Sequence, residues 1–323
     1  MLRPILTLLF LCFFLSSQAY AAPRLFRLGH EAAPQNPYGQ GAVYFANLVK
    51  ERSNGSLVIE VFPQGALGNQ KELLEGVATG VIDMALIGTA ILARIVPEVA
   101  VFDLPYLFRD IGHARKAADT IGLDLCRATA SHGIYTLDLW ENGFRHVTNN
   151  VRPIRSLRDM RGLRIRVADS PLSVETMNAL AAAPTPMSLG EVYTALETGV
   201  IDGQESPLAH IATKEFYTVQ SYLSLTSHSY SIEALVISAE VWKTLSPSDQ
   251  EILRKAALDA KIWQRALCRA LDTVFLRTIR ASTTCVVNKD VDRKALANKA
   301  RSVWKIYGER FGDASLKAIQ AIQ

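Results

Sequence analysis

Two periods of hydrophobic and polar positions organise the start of the chain. Residues 24–29 and 57–62 alternate apolar and polar side chains closely enough to predict strands with one buried face. Between them Ala42, Phe45, Ala46 and Val49 recur at the spacing of one helix face, predicting a helix over 38–52 that ends at the Asn54-Gly55 turn. The loop 65–68 leads to a second helix over 70–79, and Gly80-Val-Ile-Asp83 precedes a third strand over 84–87. Strand, helix, strand, helix, strand is the order of an α/β unit with parallel pairing and right-handed crossovers. In such sheets ligands gather beyond the carboxyl ends of the strands. That rule makes two loops candidates for a site: His30-Glu31 after the first strand and Gly88-Thr89 after the third. Glu31 could accept hydrogen bonds from hydroxyl groups or be a solvated loop charge. A lone histidine such as His30 is more often packed or exposed than a ligand.

The pattern continues with a helix over 112–130 and a strand over 134–140, which delivers Trp140 and Asn142 towards the next segment. Strands follow over 144–148 and 163–167. Ser170 caps a helix with Pro171 at its favoured first position, and another helix covers 190–198, where Glu191 reads as a first-turn charge favoured by the helix dipole. Residues 222–228 and 234–238 are apolar enough for strands that cross back. From Ser246-Pro247 a helical pattern runs through Leu253, Ala257, Ile262, Ala266, Leu267, Leu271 and Phe275 to Thr278, an unusual length for one globular domain. A strand over 284–287 and two polar helices, 291–310 and 314–322, close the chain.

Candidate chemistry is concentrated in 142–210. After the turn residue Gly162, Leu163, Ile165 and Val167 alternate with Arg164 and Arg166. An arginine on an otherwise apolar strand has few inexpensive reasons to be there. Its planar fork of five donors matches a carboxylate bidentately, so Arg166 reads as the anchor of a small carboxylate-bearing molecule. Asp202-Gly-Gln-Glu-Ser-Pro has strong turn chemistry and can fix Ser206 as a hydrogen-bonding group. Arg145, Asp169 and Leu189 complete the candidate set.

Five short motifs, Asn142-Gly-Phe-Arg145, Gly162-Leu-Arg-Ile-Arg166-Val, Pro184-Thr-Pro-Met187, Glu191-Val-Tyr-Thr-Ala-Leu196 and Asp202-Gly-Gln-Glu-Ser-Pro-Leu208, stand in an order that resembles the solute-binding subunits of tripartite ATP-independent periplasmic (TRAP) transporters. The resemblance implies two α/β lobes with an interlobe cleft and a long helix spanning both. Together with the strand order it divides the chain into a first domain of 22–142 plus 232–271 and a second of 143–231 plus 272–323. It implies that Arg166 pairs with the solute carboxylate, that Arg145 assists, and that an ion-driven TRAP permease in the membrane is the partner. Ser206 stands where the family usually has Asn, and Gly88 where its sialic-acid binders have Glu, so sialic acid is not expected.

Composition narrows the setting. Arg3, an apolar run over 5–15 and Ala19-Tyr-Ala21 form a cleavable export signal, 1–21, too short in its apolar part to span a bilayer. A periplasmic location and a monomer are expected. The 35 Lys and Arg against 31 Asp and Glu, less Arg3, leave a net charge of +3, too mild for a nucleic-acid partner without a basic stripe. Cys126, Cys268 and Cys285 lack metal-ligand spacing; one bridge is possible, though buried packing cysteines are the simpler expectation. Six scattered histidines and no nucleophile, phosphate-loop or zinc-protease motif argue against an enzyme, a cofactor or a metal. The expected solute is an organic acid, a hydroxylated monocarboxylate such as a sugar acid being favoured because Glu31 and Asp169 would repel a second carboxylate. A C4-dicarboxylate binder, a sensing subunit for a receptor kinase and an enzyme acting on a carboxylate are the alternatives.

Overall fold

The structure, a computed structural model, describes residues 22–323; the expected export signal lies outside them. In chain order the strands are β1 (Arg24–Gly29), β2 (Leu57–Phe62), β3 (Met84–Gly88), β4 (Ile134–Asn149), β5 (Arg164–Val167), β6 (Ala183–Pro186), β7 (Gly203–Pro207), β8 (Tyr222–Ser224), β9 (Tyr230–Ser238) and β10 (Val286–Asn288). Parallel pairing of β1 with β2 and β3 follows from the helices that connect them, Pro37–Arg52 and Gln70–Thr79. The order in the first lobe is β2-β1-β3-β9-β4, and in the second β6-β5-β7-β4-β8-β10.

β4 belongs to both lobes. Residues 134–144 pair antiparallel with β9, while 145–149 pair with β7. The ladder with β9 slips between Thr136 and Asp138 and again between Glu141 and Gly143, where Gly143 takes φ +112°. Asn142-Gly143 thus forms a bulge inside one strand of 16 residues rather than the break expected between two. A bulge bends and twists its strand without ending the pairing.

Each lobe buries both faces of its sheet. Phe26, Phe45 and Trp140 pack with Leu253, Ala256 and Ala260 on one face of the first lobe, and Leu73, Ile87, Phe102 and Val236 pack on the other. In the second lobe Leu196, Leu223, Phe275 and Ile279 cover one face and Val147, Ile165, Met177 and Leu296 the other. The helix Pro247–Ala281 therefore serves both cores. The C-terminal part departs from the sequence-based division, which puts all of 272–323 in the second domain. Helix Arg293–Phe311 gives Leu296 and Ala300 to the second lobe but Val303 and Tyr307 to the first, and Leu316 and Ile319 follow them there. Short polar helices carry too few apolar positions for sequence to say which core they join.

Other differences are local. The segment expected as one helix over 112–130 is a chain of short helical turns, Ile111–Ala117, Ala118–Gly122, Leu123–Cys126 and Arg127–His132. The turn expected at 202–207 is largely β7, central in its sheet between β4 and β5. Cys126, Cys268 and Cys285 are buried and unbridged. Among the described residues no helix is long and apolar enough to cross a membrane.

Candidate functional site

Three adjoining cavities lie between the lobes. The outer one, about 350 Å³, is lined by Glu31, Gln70, Lys71, Arg166, Asp169 and Met187 among others. An inner one of about 40 Å³ shares Gln70 and Arg166 with it and adds Gly88, Asn142, Arg145, Leu189, Ser206, His210 and Glu233. A third, about 30 Å³, lies beyond Arg145 and is lined by Asp103, Glu205 and His228. Their walls come from the carboxyl end of β3 and from β4, β5, β7 and β9.

Arg166 sits in the middle of β5, whose backbone is held by Thr185 of β6 on one side and Gln204 of β7 on the other. Its side chain is 4% exposed. Nε and Nη2 both donate to the Met187 carbonyl, at 2.9 and 2.7 Å. That carbonyl precedes a capped turn in which the Ser188 amide donates to the Glu191 carboxylate at 3.1 Å. Arg166 has no ion-pair partner among the described residues, and it lines both the inner and the outer cavity. Burial, then repulsion from Arg145, pushes its pKa down to about 10, which leaves it cationic at neutral pH.

Arg145 is in a different state. Nε and Nη2 bind the Glu205 carboxylate bidentately, the second at 2.8 Å, Nη2 also donates to the Glu205 carbonyl at 2.7 Å, and Nη1 reaches Ser231 Oγ at 3.2 Å. Glu205 is also joined by His228 Nε2 at 3.1 Å. Burial opposes ionisation of Glu205, but Arg145 and His228 hold it down at about 2. The Arg145 charge is therefore balanced inside the protein.

Two further carboxyl groups have no such partner. Glu233 on β9 is 2% exposed; its Oε1 accepts from Asn142 Nδ2 at 2.7 Å, and its Oε2 has no partner. Burial pushes it up to about 8. Asp103 is pushed up to about 7 for the same reason, and its Oδ2 is also unpartnered. Glu31 is raised by burial, with the attraction of Arg166 working against it.

The structure thus gathers Arg166, Arg145, Asn142, Gly88, Ser206 and Leu189 around the inner cavity, with Glu31 and Asp169 on the outer one. Asp169 is more than half exposed and faces Arg94 at 3.3 Å. Three candidates line none of these cavities. Trp140 points into the first-lobe core, edge-on to Phe45, because its strand must fill the layer under the helix Pro37–Arg52. His30 is 1% exposed and edge-on to Tyr38, which in turn meets His210. Burial pushes His30 down to about 4. Thr89 is buried just after Gly88. Sequence reading missed Glu205, Glu233, Asp103, Gln70 and His210. Glu233 carries the same signal that singles out Arg166, a lone charge on an apolar strand.

A two-lobed α/β fold with an unpaired, buried arginine at an interlobe cavity defines a solute-binding protein for small anions. The chain belongs to the bacterial extracellular solute-binding proteins, family 7, whose family model matches residues 28–310, and these are solute-binding subunits of TRAP transporters rather than enzymes. It is 36% identical over 313 residues to the 2,3-diketo-L-gulonate-binding periplasmic protein of Escherichia coli (strain K12), covering 95% of this chain and 94% of that one. A TRAP periplasmic solute-binding protein from Polaromonas sp. JS666, bound to D-erythronate, superimposes with a TM-score of 0.90 at 33% identity, covering 93% of this chain and 99% of that one. Another from Sulfurospirillum deleyianum, with bound succinate, does so with 0.89 at 29% identity, covering 94% and 100%. Fold similarity is nearly equal for a hydroxylated monocarboxylate and for a dicarboxylate, so the solute must be read from the side chains.

Proposed function

We propose that this protein is exported to the periplasm, where it captures a hydroxylated monocarboxylate, such as a sugar acid, and delivers it to a TRAP permease. The observation that carries the reading is Arg166: buried, without a carboxylate ion-pair partner, held by the Met187 carbonyl and lining the cavity. A buried guanidinium without a counter-charge is costly, and a solute carboxylate supplies what is missing. In the inner cavity one unpaired cation suits one carboxylate, since Arg145 is already balanced by Glu205. The neighbouring Glu31, Glu233 and Asp103 supply no positive charge for a second carboxylate and can pair with hydroxyl groups.

The protein acts as a monomer of two domains that meet near residues 142 and 231 and within the helix Pro247–Ala281. The bulge at Glu141/Gly143 supports that hinge position. Thermal-shift screening against organic acids, neutral sugars and amines tests the assignment. Sugar acids should raise the melting temperature. Stabilisation by neutral sugars or amines with none by any carboxylate would overturn it.

A further inference from the structure

The inner cavity is lined by more polar atoms than its one unpaired cation explains. Glu233 Oε2, Asn142 Oδ1 and His210 Nδ1 are buried on residues that line it, and none has a partner. Buried polar atoms are normally satisfied, and those that are not call for a ligand, a water or a role. Glu233 stands out among them. Its position is fixed twice, by the β9 ladder opposite Gly88 of β3 and by the Asn142 amide on Oε1. Gly88 lies against it: a Cβ there would come within 3.2 Å of Gln70 Oε1 and within 3.6 and 3.8 Å of the two Glu233 carboxyl oxygens, so a larger residue would crowd this side of the carboxyl. The Gly88 amide is meanwhile occupied by Gln70 Oε1 at 2.8 Å and offers nothing itself.

We propose that Glu233, held by Asn142, is a specificity-determining residue that reads a hydroxyl group of the solute and keeps a second carboxylate out of the inner cavity. The proposal rests on the carboxylate reading above, with the solute anchored at Arg166. A hydroxyl both donates and accepts, so it can satisfy Oε2 whichever protonation state Glu233 holds. The preference for the protonated form at neutral pH is consistent with a group that must lie buried without a cation. A second solute carboxylate at this place would meet Glu233 and, further along, Asp103, while the guanidinium nearest to it is already paired with Glu205. Lys214 lies near Glu31 and does not line the inner cavity. The device rejects by leaving a charge uncompensated, the usual way in which buried sites discriminate between solutes of similar shape.

Matched acids test this by calorimetry: erythronate, butyrate and succinate with four carbons, and galactonate, hexanoate and adipate with six. Wild type should bind a hydroxylated acid at least about tenfold more tightly than its unsubstituted and dicarboxylate counterparts, the effect of one hydrogen bond to a charged or strongly polar group. Glu233→Leu should weaken the hydroxylated acid by about tenfold or more and leave the unsubstituted acid unchanged. At about pH 9, where the wild-type carboxyl is ionised, Glu233→Gln, which keeps shape and cannot ionise, should narrow the gap between dicarboxylate and hydroxylated acid by about fivefold or more, and it decides the matter if the leucine variant does not fold. Equal weakening of the hydroxylated and unsubstituted acids would mark a structural role and overturn the inference. So would unchanged discrimination in both variants, or a wild type that prefers the dicarboxylates. Binding of none of the six acids by wild type would instead remove the carboxylate reading on which the inference stands.

Discussion

The two arginines that resemble each other in sequence do different work. Arg166 has a backbone carbonyl for two of its donors and no counter-ion; Arg145 has a full bidentate carboxylate. Arg166→Ala should therefore lower solute affinity by about 2–5 kcal/mol, the cost of stranding a desolvated charge, or roughly 30- to 5,000-fold. Arg166→Lys should not restore it, because an ammonium cannot provide the planar fork; calorimetry with the cognate acid is the check. Arg145→Ala should act first on the fold, because it leaves Glu205 buried with only His228. Breaking such a pair costs about 3–5 kcal/mol, and adding Glu205→Gln should recover much of that in denaturant melts. The resemblance gives Arg145 an assisting role at the solute, and nothing in the sequence at Glu205 announces which arginine it will meet. Glu233 supplies a pH test. It is surrounded by Asn142 and Arg145 from β4, Glu31 from the loop after β1, Asp103 from the short helix Pro97–Asp103, and Tyr38 from the helix Pro37–Arg52. Its folded value of about 8 lies above the ordinary carboxyl value of 4.5. The folded state then holds the extra proton between those values, so stability falls as pH rises through the window, by at most about 1.4 kcal/mol per pH unit. Thermal melts from about pH 5 to about pH 8 should show Glu233→Gln gaining on wild type as pH rises; parallel curves would show that the carboxyl does not titrate there.

The helix Pro247–Ala281 shows what periodicity could and could not reveal. Its start is written locally: Ser246 Oγ accepts from the Asp249 amide at 3.1 Å and Pro247 occupies the first turn. Its length follows from an unbroken apolar stripe. Its two buried polar residues follow from neither. Lys261 donates to Asp138 at 2.8 Å and to Asp119 at 3.2 Å, and Gln264 Nε2 donates to the Glu141 carbonyl at 2.7 Å. These contacts pin the helix to β4 beside the bulge, an arrangement that depends on residues more than a hundred positions away. Lys261→Met should cost about 3–5 kcal/mol by leaving Asp138 buried and unpaired, whereas Lys261→Met with Asp138→Leu should be nearly neutral. Urea unfolding of the two variants separates a pairing role from simple packing. The β1–β3 unit was legible because its alternation and turns are local signals. The fusion of two expected strands into β4 was not, because Asn142-Gly143 carries turn chemistry and only the long ladder with β9 carries the chain through it. Trp140 was misplaced for a related reason: a strand's direction of travel indicates where it leads, while the face each side chain takes depends on what covers the sheet.

The lobes present complementary halves of one site. Arg166, Met187 and Leu189 come from the second lobe, and Gln70, Gly88 and Glu233 from the first, so a solute that reaches both groups bridges the cleft. A ligand shifts a conformational equilibrium only by its differential affinity for the two states. An opened cleft would leave the solute with one set of partners instead of two, and closure would draw on that difference. The strands that cross between lobes must absorb the motion, and β4 has the means in its slipped register at Glu141/Gly143 and in Gly143 at φ +112°, a conformation that L side chains rarely adopt. The helix Arg293–Phe311, which gives side chains to both cores, ties the lobes at a second place and restricts the opening to a hinge. Small-angle scattering should therefore show a smaller radius of gyration when a saturating sugar acid is added. The same acid should leave Arg166→Ala at the larger radius, since the contact that rewards closure is gone. Gly143→Val should shift the balance differently: the strained backbone, about 1–3 kcal/mol, lies at the hinge and not at the solute. Its affinity should drop while the sugar acid remains preferred over its unsubstituted and dicarboxylate counterparts. A compact, acid-insensitive radius in wild type would mean that the cleft does not open in solution, and the hinge at Gly143 would then have no role in capture.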